Sequence, residues 1–155
     1  MTACLKCGHD PEAVVIMTWD IIVDREVESG NRRVFNVGGS RWKYAAKRDA
    51  WQLEFRAFRL LRRIPKASAK RRVTLTRYYD GRQREWDADN LATGAKPVID
   101  ALVREGLLVD DARAFAEIHY DQVRRSPRGT GVRIEELGPE NRPQTGLNPG
   151  VGGGR

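Results

Sequence analysis

The sequence has no uninterrupted apolar run near the ~18 residues that span a bilayer, and its first residues lack the basic-then-apolar order of a secretory signal. Both absences set the expectation of a protein that works in the cytoplasm, away from membranes. Cysteine is almost missing: Cys4 and Cys7 are the only two in 155 residues, too few for a disulfide framework. Acidic residues are outnumbered, 21 against 28 Lys and Arg, which leaves a net charge of +7 and a pI of about 9.8. Such a balance points to a polyanionic partner, most often nucleic acid.

What is present supports one folded domain. Hydrophobic residues make up 40% and charged residues 32%, enough for a core with a wet surface, and the length is too small for two independent cores. The chain divides into an N-terminal extension over 1–13, a domain over 14–137 and a tail over 138–155. The tail holds six Gly and three Pro in 18 residues and is expected to be disordered.

Positive charge is concentrated. Twelve basic residues fall between Arg41 and Arg72 against only Asp49 and Glu54, a local balance of +10 that leaves −3 for the rest. One segment can grip phosphates while another gathers carboxylates. The gripping residues expected from this are Lys43, Lys47, Arg48, Arg71 and Arg72, joined by Arg32 and Arg33.

Residues 14–23 are rich in β-branched types and read as a buried first strand. A hairpin or loop excursion follows around Val34–Val37, and Ser40 then caps a helix over about 41–63, stopped by Pro65. Apolar residues recur on two sides of that helix. Trp42, Ala46, Ala50, Leu53, Ala57, Leu61 and Ile64 form one stripe, and Tyr44, Trp51, Phe55 and Phe58 the other. Two faces imply two partners: either a small domain buries one face and half-exposes the other, or the aromatic face with Trp51 is a subunit interface in a homodimer. A strand over 72–79 ends at the Asp80-Gly81 turn, and a helix of about ten residues runs from Pro97 to a Gly106 cap. Two hairpin-like strands follow, around Ala116–Asp121 and Val132–Ile134. The sum is an α/β (α+β) domain: a mixed sheet of four to five strands with two main helices covering at least one face.

The segment that carries chemistry is Trp86-Asp87-Ala88-Asp89-Asn90-Leu91, then Lys96, Asp100 and Val109-Asp110-Asp111-Ala112. In an extended stretch Asp87 and Asp89 project to one side, where two carboxylates repel unless a cation sits between them. Oxygen-only ligands suit Mg²⁺ or Mn²⁺. Against this stands the ordinary use of Asp as a helix cap or in a solvated turn.

The ordered combination of Asp-x-Asp-Asn, a lysine, Asp-Ala-Leu and a downstream Asp-Asp resembles the RusA-type Holliday junction resolvases, over about 86–124. The resemblance implies a homodimeric, Mg²⁺-dependent endodeoxyribonuclease that nicks four-way DNA junctions in symmetric pairs, in recombination, repair or phage DNA processing. It assigns Asp87, Asp89 and Asp111 to the metal and Lys96 to cleavage, with Asn90, Asp100 and Asp110 in support. Products would carry a 5′-phosphate and a 3′-hydroxyl. Leu-Ala-Thr-Gly-Ala separates Asn90 from Lys96, longer than the family's spacing, so the lysine's place depends on where the added residues loop out. Asp100, one helical turn past Lys96, is read first as its ion-pair partner.

Cys4-x-x-Cys7-x-His9 has the spacing of half a zinc site, but a closed site needs four ligands and no second cysteine pair exists. Two other function classes stay open: a nuclease acting more broadly on flaps and forks, and a DNA-binding protein without nuclease chemistry.

Overall fold

A computed structural model describes residues 14–30 and 40–138. Cys4, Cys7, His9, Arg32, Arg33, the Val34–Val37 excursion and the tail from 139 lie outside the described residues. The elements run β1 (Val15–Val23), α1 (Ser40–Leu61), β2 (Arg71–Tyr79), α2 (Ala88–Glu105), β3 (Ala116–Arg124) and β4 (Gly129–Leu137). Four strands form one mixed sheet in the order β1-β4-β2-β3. β4 runs antiparallel to both neighbours, and β2 pairs parallel with β3.

The period-two alternation of each strand sorts its side chains to two faces. Register aligns Ile21 with Val132, Val132 with Leu75, and Leu75 with Tyr120. Ile21, Val23, Val73, Leu75, Val132 and Ile134 share one core with Trp51 and Phe55 of α1 and Ala95, Val98, Ile99 and Leu102 of α2. Both helices therefore cover the same face of the sheet, giving a two-layer α+β domain. No helix among the described residues is long and apolar enough to cross a membrane.

Four expectations need correction. The first strand is not buried: Val15, Ile16, Met17 and Ile22 are exposed, because β1 is an edge strand that gives the core Ile21 and Val23, with Trp19 packed partly against it. The two later strands do not form a hairpin, since β2 lies between β3 and β4. The turn joining them, with a cis Ser126–Pro127 bond, passes across the end of β2.

On α1 the two stripes are exchanged. The aromatic face is the core, with Trp51 and Phe55 buried, while Trp42 is 82% exposed and Leu53, Leu60 and Leu61 also face solvent. A charge at Trp51 therefore tests folding rather than association.

Finally, α2 begins at Ala88, not at Pro97, and Pro97 lies inside it. Proline within a helix removes one backbone hydrogen bond and crowds the preceding turn. Burial outweighs that cost: Leu91, Ala95, Val98, Ile99 and Leu102 recur at steps of three or four, and all are buried. The helix ends as expected at Gly106, whose φ of 79° is left-handed and whose N–H donates to the Leu102 and Val103 carbonyls.

Candidate functional site

The β2–α2–β3 crossover decides where the carboxylates stand. Asp87 is the N-cap of α2, and its side chain accepts the Asn90 N–H at 2.8 Å. Asp89 sits in the first turn, where a negative charge complements the positive helix end. Both are exposed. Asp87 keeps the extended backbone of a cap (φ −64°, ψ 157°) while Asp89 is helical, so the two do not share the extended stretch expected of them. Asn90 is buried and its Oδ1 accepts the Ser29 hydroxyl at 2.9 Å. Gly30 N–H donates to the Asn90 carbonyl at 3.3 Å, docking the chain after β1 onto α2.

The residues between Asn90 and Lys96 do not loop out. They extend the helix, and Gly94 within them meets the 28–30 segment so closely that a Cβ there would lie 2.0 Å from the Glu28 carbonyl oxygen. Lys96 consequently stands seven residues after Asp89, almost two full turns, on the same face and about 10 Å further along the axis.

Lys96 joins two carboxylates. Its Nζ donates to Asp100 Oδ1 at 2.8 Å and to Asp111 Oδ2 at 2.7 Å, the second across 15 residues. The other oxygen of Asp100 accepts a hydrogen bond from the Tyr44 hydroxyl of α1. Asp110 instead accepts the Ala112 N–H at 2.8 Å and shapes the turn. Asp100 and Asp111 hydrogen-bond the Lys96 ammonium and hold its pKa above the ordinary lysine range. The same hydrogen bond from Lys96 holds the Asp111 carboxyl below its ordinary value. Burial, then the hydrogen bond to Asp100, pushes the Tyr44 hydroxyl up. Burial does the same to Tyr120, with Asp111 adding to the rise and Lys96 opposing it.

These shifts fix the pH range of the contact. A depressed Asp111 stabilises the fold above the unfolded carboxylate pKa, and that contribution fades as pH falls through the folded value. A raised Lys96 contributes below the unfolded lysine pKa and loses its contribution as pH rises through the folded value. The pair is charged on both sides across the neutral range. Lys96→Met is expected to move the Asp111 titration upward toward the ordinary carboxylate range of about 3.9, read by carboxyl ¹³C chemical shift. An unmoved midpoint would show that the contact does not form in solution.

Asp87, Asp89 and Asp111 do not come together as one ion pocket. Among the described residues no group of three His, Cys, Asp or Glu is placed to hold a metal. The reason is topological: Asp87 and Asp89 open an 18-residue helix about 27 Å long, and Asp110 and Asp111 follow its far end. Only Asp111 folds back, as far as Lys96.

The basic segment is largely committed internally. Lys47 pairs with Glu28, and Arg48 with Asp49 at 3.1 Å. Arg56 and Arg59 converge on buried Glu105 at 3.3 and 2.8 Å. Burial works to raise the Glu105 pKa, but the hydrogen bonds from Arg59, Gln52 and Arg56 outweigh it and lower the pKa overall. Arg72 donates to Glu117 at 2.8 Å, and Lys70 pairs with it at 3.2 Å. Arg71, expected on a phosphate-gripping surface, is 1% exposed. It donates to the Leu107 and Pro65 carbonyls and to Glu136, beneath the Trp19 ring. Lys43 stays exposed near the start of α1.

Sequence reasoning missed the clamp that delivers Asp87. The Arg77 guanidinium lies 3.7 Å over the Trp86 ring and donates to Gln122 at 3.0 Å and to the Arg84 carbonyl at 3.3 Å. Gln122 in turn exchanges two hydrogen bonds with the Trp86 backbone, at 3.0 and 2.8 Å. Burial lowers the Arg77 pKa. The available signal was Trp86 itself, a large aromatic adjoining the first aspartate. Tyr44 was visible only as one member of an apolar stripe. A comparison of the chain with protein-family models returns no match, and neither does one with curated proteins.

Proposed function

We propose that the protein is an Mg²⁺- or Mn²⁺-dependent, structure-specific endodeoxyribonuclease that resolves four-way DNA junctions by paired nicks as a homodimer. Its setting would be the cytoplasm, in recombination, repair or phage DNA processing. The observation that carries this reading is the 2.7 Å contact between Lys96 and Asp111. Two members of the RusA-like pattern, far apart in sequence, meet in space.

The donor chemistry suits a hard cation. Mg²⁺ is usually held by one or two carboxylates, with waters and substrate phosphate completing its shell. Asp100 and Asp111 already turn oxygens toward one cation, the Lys96 ammonium. Asp87 and Asp89, together at the start of α2, are the residues proposed to hold the ion, which would supply Lewis-acid polarisation of the scissile phosphate, while Asp111 acts through Lys96. Lys96 keeps its proton at neutral pH, where Asp100 and Asp111 steady its ammonium to stabilise charge on the leaving oxygen. Tyr44 is a positioning residue, holding Asp100 from α1.

The dimer has a surface of its own to use. Trp42, Leu53, Leu60 and Leu61 leave an apolar stripe along the outside of α1, and a two-fold pairing there would give two sites for two cuts. Sedimentation is expected to show a dimer for the wild type and a monomer for Leu53→Glu. A monomeric wild type would remove the paired-nick mechanism.

One observation favours a DNA-binding protein without nuclease chemistry: among the described residues the carboxylates do not form a group of three. The discriminating experiment compares a four-way junction, fork, flap and linear duplex on one gel, with Mg²⁺ or EDTA. Nicking of the four-way junction with Mg²⁺ alone is expected. Equal cutting of forks and flaps would broaden the substrate class, and binding without cutting would select the non-catalytic reading.

A further inference from the structure

We infer that the DNA backbone docks on the end of the sheet where β2 and β3 finish, on the arginines of the β2–α2 loop and the β3–β4 turn, and not on the basic stretch of α1. This rests on the DNA-binding reading above and places its surface.

The two segments are joined. Tyr79 and Arg124, the last residues of β2 and β3, are register partners, and Arg125 N–H donates to the Tyr79 carbonyl at 2.8 Å. Arg128 pairs with Asp80 at 3.2 Å, strapping the turn to the loop. Asp80 also folds the loop, its side chain accepting the Arg82 N–H and its carbonyl the Gln83 N–H. Arg77, stacked on Trp86, fixes the loop's far end.

Five arginines are exposed there: Arg82, Arg84, Arg124, Arg125 and Arg128. Acidic neighbours on and beside the two segments are Asp80, Glu85, Asp87 and Asp121, with Glu26 pairing to Arg128 from the chain after β1. Among the described residues Arg82, Arg84 and Arg124 make no ion pair, and Arg125 lies over the Tyr78 ring, 4.5 Å from its centroid. The contrast with α1 is direct, since Lys47, Arg48, Arg56 and Arg59 are already paired with carboxylates. Guanidinium groups with free donors bind phosphate oxygens bidentately. The loop also leads straight into Asp87, so a strand held here passes beside Asp87 and Asp89.

The test measures binding of a fluorescent four-way junction by anisotropy in EDTA, over a salt series, so that cutting plays no part. The triple variant Arg84→Ala/Arg124→Ala/Arg125→Ala is expected to bind at least about tenfold more weakly, with a log-log salt slope shallower by about 2. The matched variant Arg41→Ala/Lys43→Ala/Arg62→Ala, which removes exposed cations on α1 and just after it, should stay within about twofold of wild type. The variant Arg84→Lys/Arg124→Lys/Arg125→Lys keeps the charge and should retain the slope, separating lost phosphate contacts from a damaged fold. Equal or greater loss in the α1 variant, or an unchanged slope in the alanine triple, overturns the placement while DNA binding itself stands. A wild type that binds no DNA overturns both.

Discussion

Replacing Arg71 with methionine is expected to destabilise the fold by about 3–5 kcal/mol, although the new side chain is apolar and similar in length. Arg71 is fully buried, yet three acceptors depend on it: the Leu107 carbonyl at 3.0 Å, the Pro65 carbonyl at 3.1 Å and Glu136 at 2.8 Å. Methionine leaves them all without that donor. The guanidinium is imperfectly satisfied, since its Nε has no acceptor among the described residues, so its own desolvation is incompletely offset. The loss therefore comes chiefly from the partners it abandons. The double variant Arg71→Met/Glu136→Leu should recover part of it, because the stranded carboxylate is gone as well. Urea denaturation would read both, as a shifted midpoint at constant slope. A single-variant loss under about 1 kcal/mol would mean that Arg71 is held loosely in solution.

Asp111→Asn and Asp89→Asn are each expected to lower Mg²⁺-dependent nicking by about 10³-fold, the equivalent of about 4 kcal/mol of transition-state stabilisation. Junction binding should change little, because phosphate contacts from basic residues carry most of the affinity. The two substitutions differ in a second readout. Asp111→Asn removes a partner of Lys96, whereas Asp89 has no contact with Lys96 and its loss should leave that ammonium in place. Unchanged cleavage by Asp89→Asn would falsify the metal assignment, and unchanged cleavage by Asp111→Asn would remove the role given to Lys96.

How much was legible depended on how local the deciding physics was. The limits of α1 and β2 and the Gly106 cap follow from periodicity, Pro65 and a left-handed glycine, all readable within a few residues. The start of α2 was not legible, because Pro97 is a strong local signal for a first helical turn. It is overruled by the burial of Leu91 and Ala95 and by the Asp87 cap. The choice between the two faces of α1 was equally hidden. Both stripes are apolar, and only packing against α2 and the sheet selects Trp51 and Phe55. Strand order is a long-range property, so β3 and β4 looked like a hairpin although β2 separates them.

At the candidate site, the ion pair of Lys96 with Asp100 was readable from helical spacing. Contact with Asp111 needed the fold, and so did the failure of Asp87 and Asp89 to reach it. Arg71 and Arg72 show the commonest way a charge count misleads. A basic residue on a strand reads as solvated until its cross-strand carboxylate, here Glu136 or Glu117, is known.

The position of β4 has a consequence for how the chain is made. It is the last described strand, yet it lies inside the sheet, with Val15 paired to Leu137 at one end of its ladder and Val73 paired to Ile134 on its other side. While β4 is still inside the ribosome, β1 has no described neighbour to pair with, and β2 is bordered on one side alone. Closing a loop of more than a hundred residues is entropically slow to reward. Until β4 is available the nascent chain therefore carries an open, apolar edge, a period in which a holdase chaperone would have most to bind.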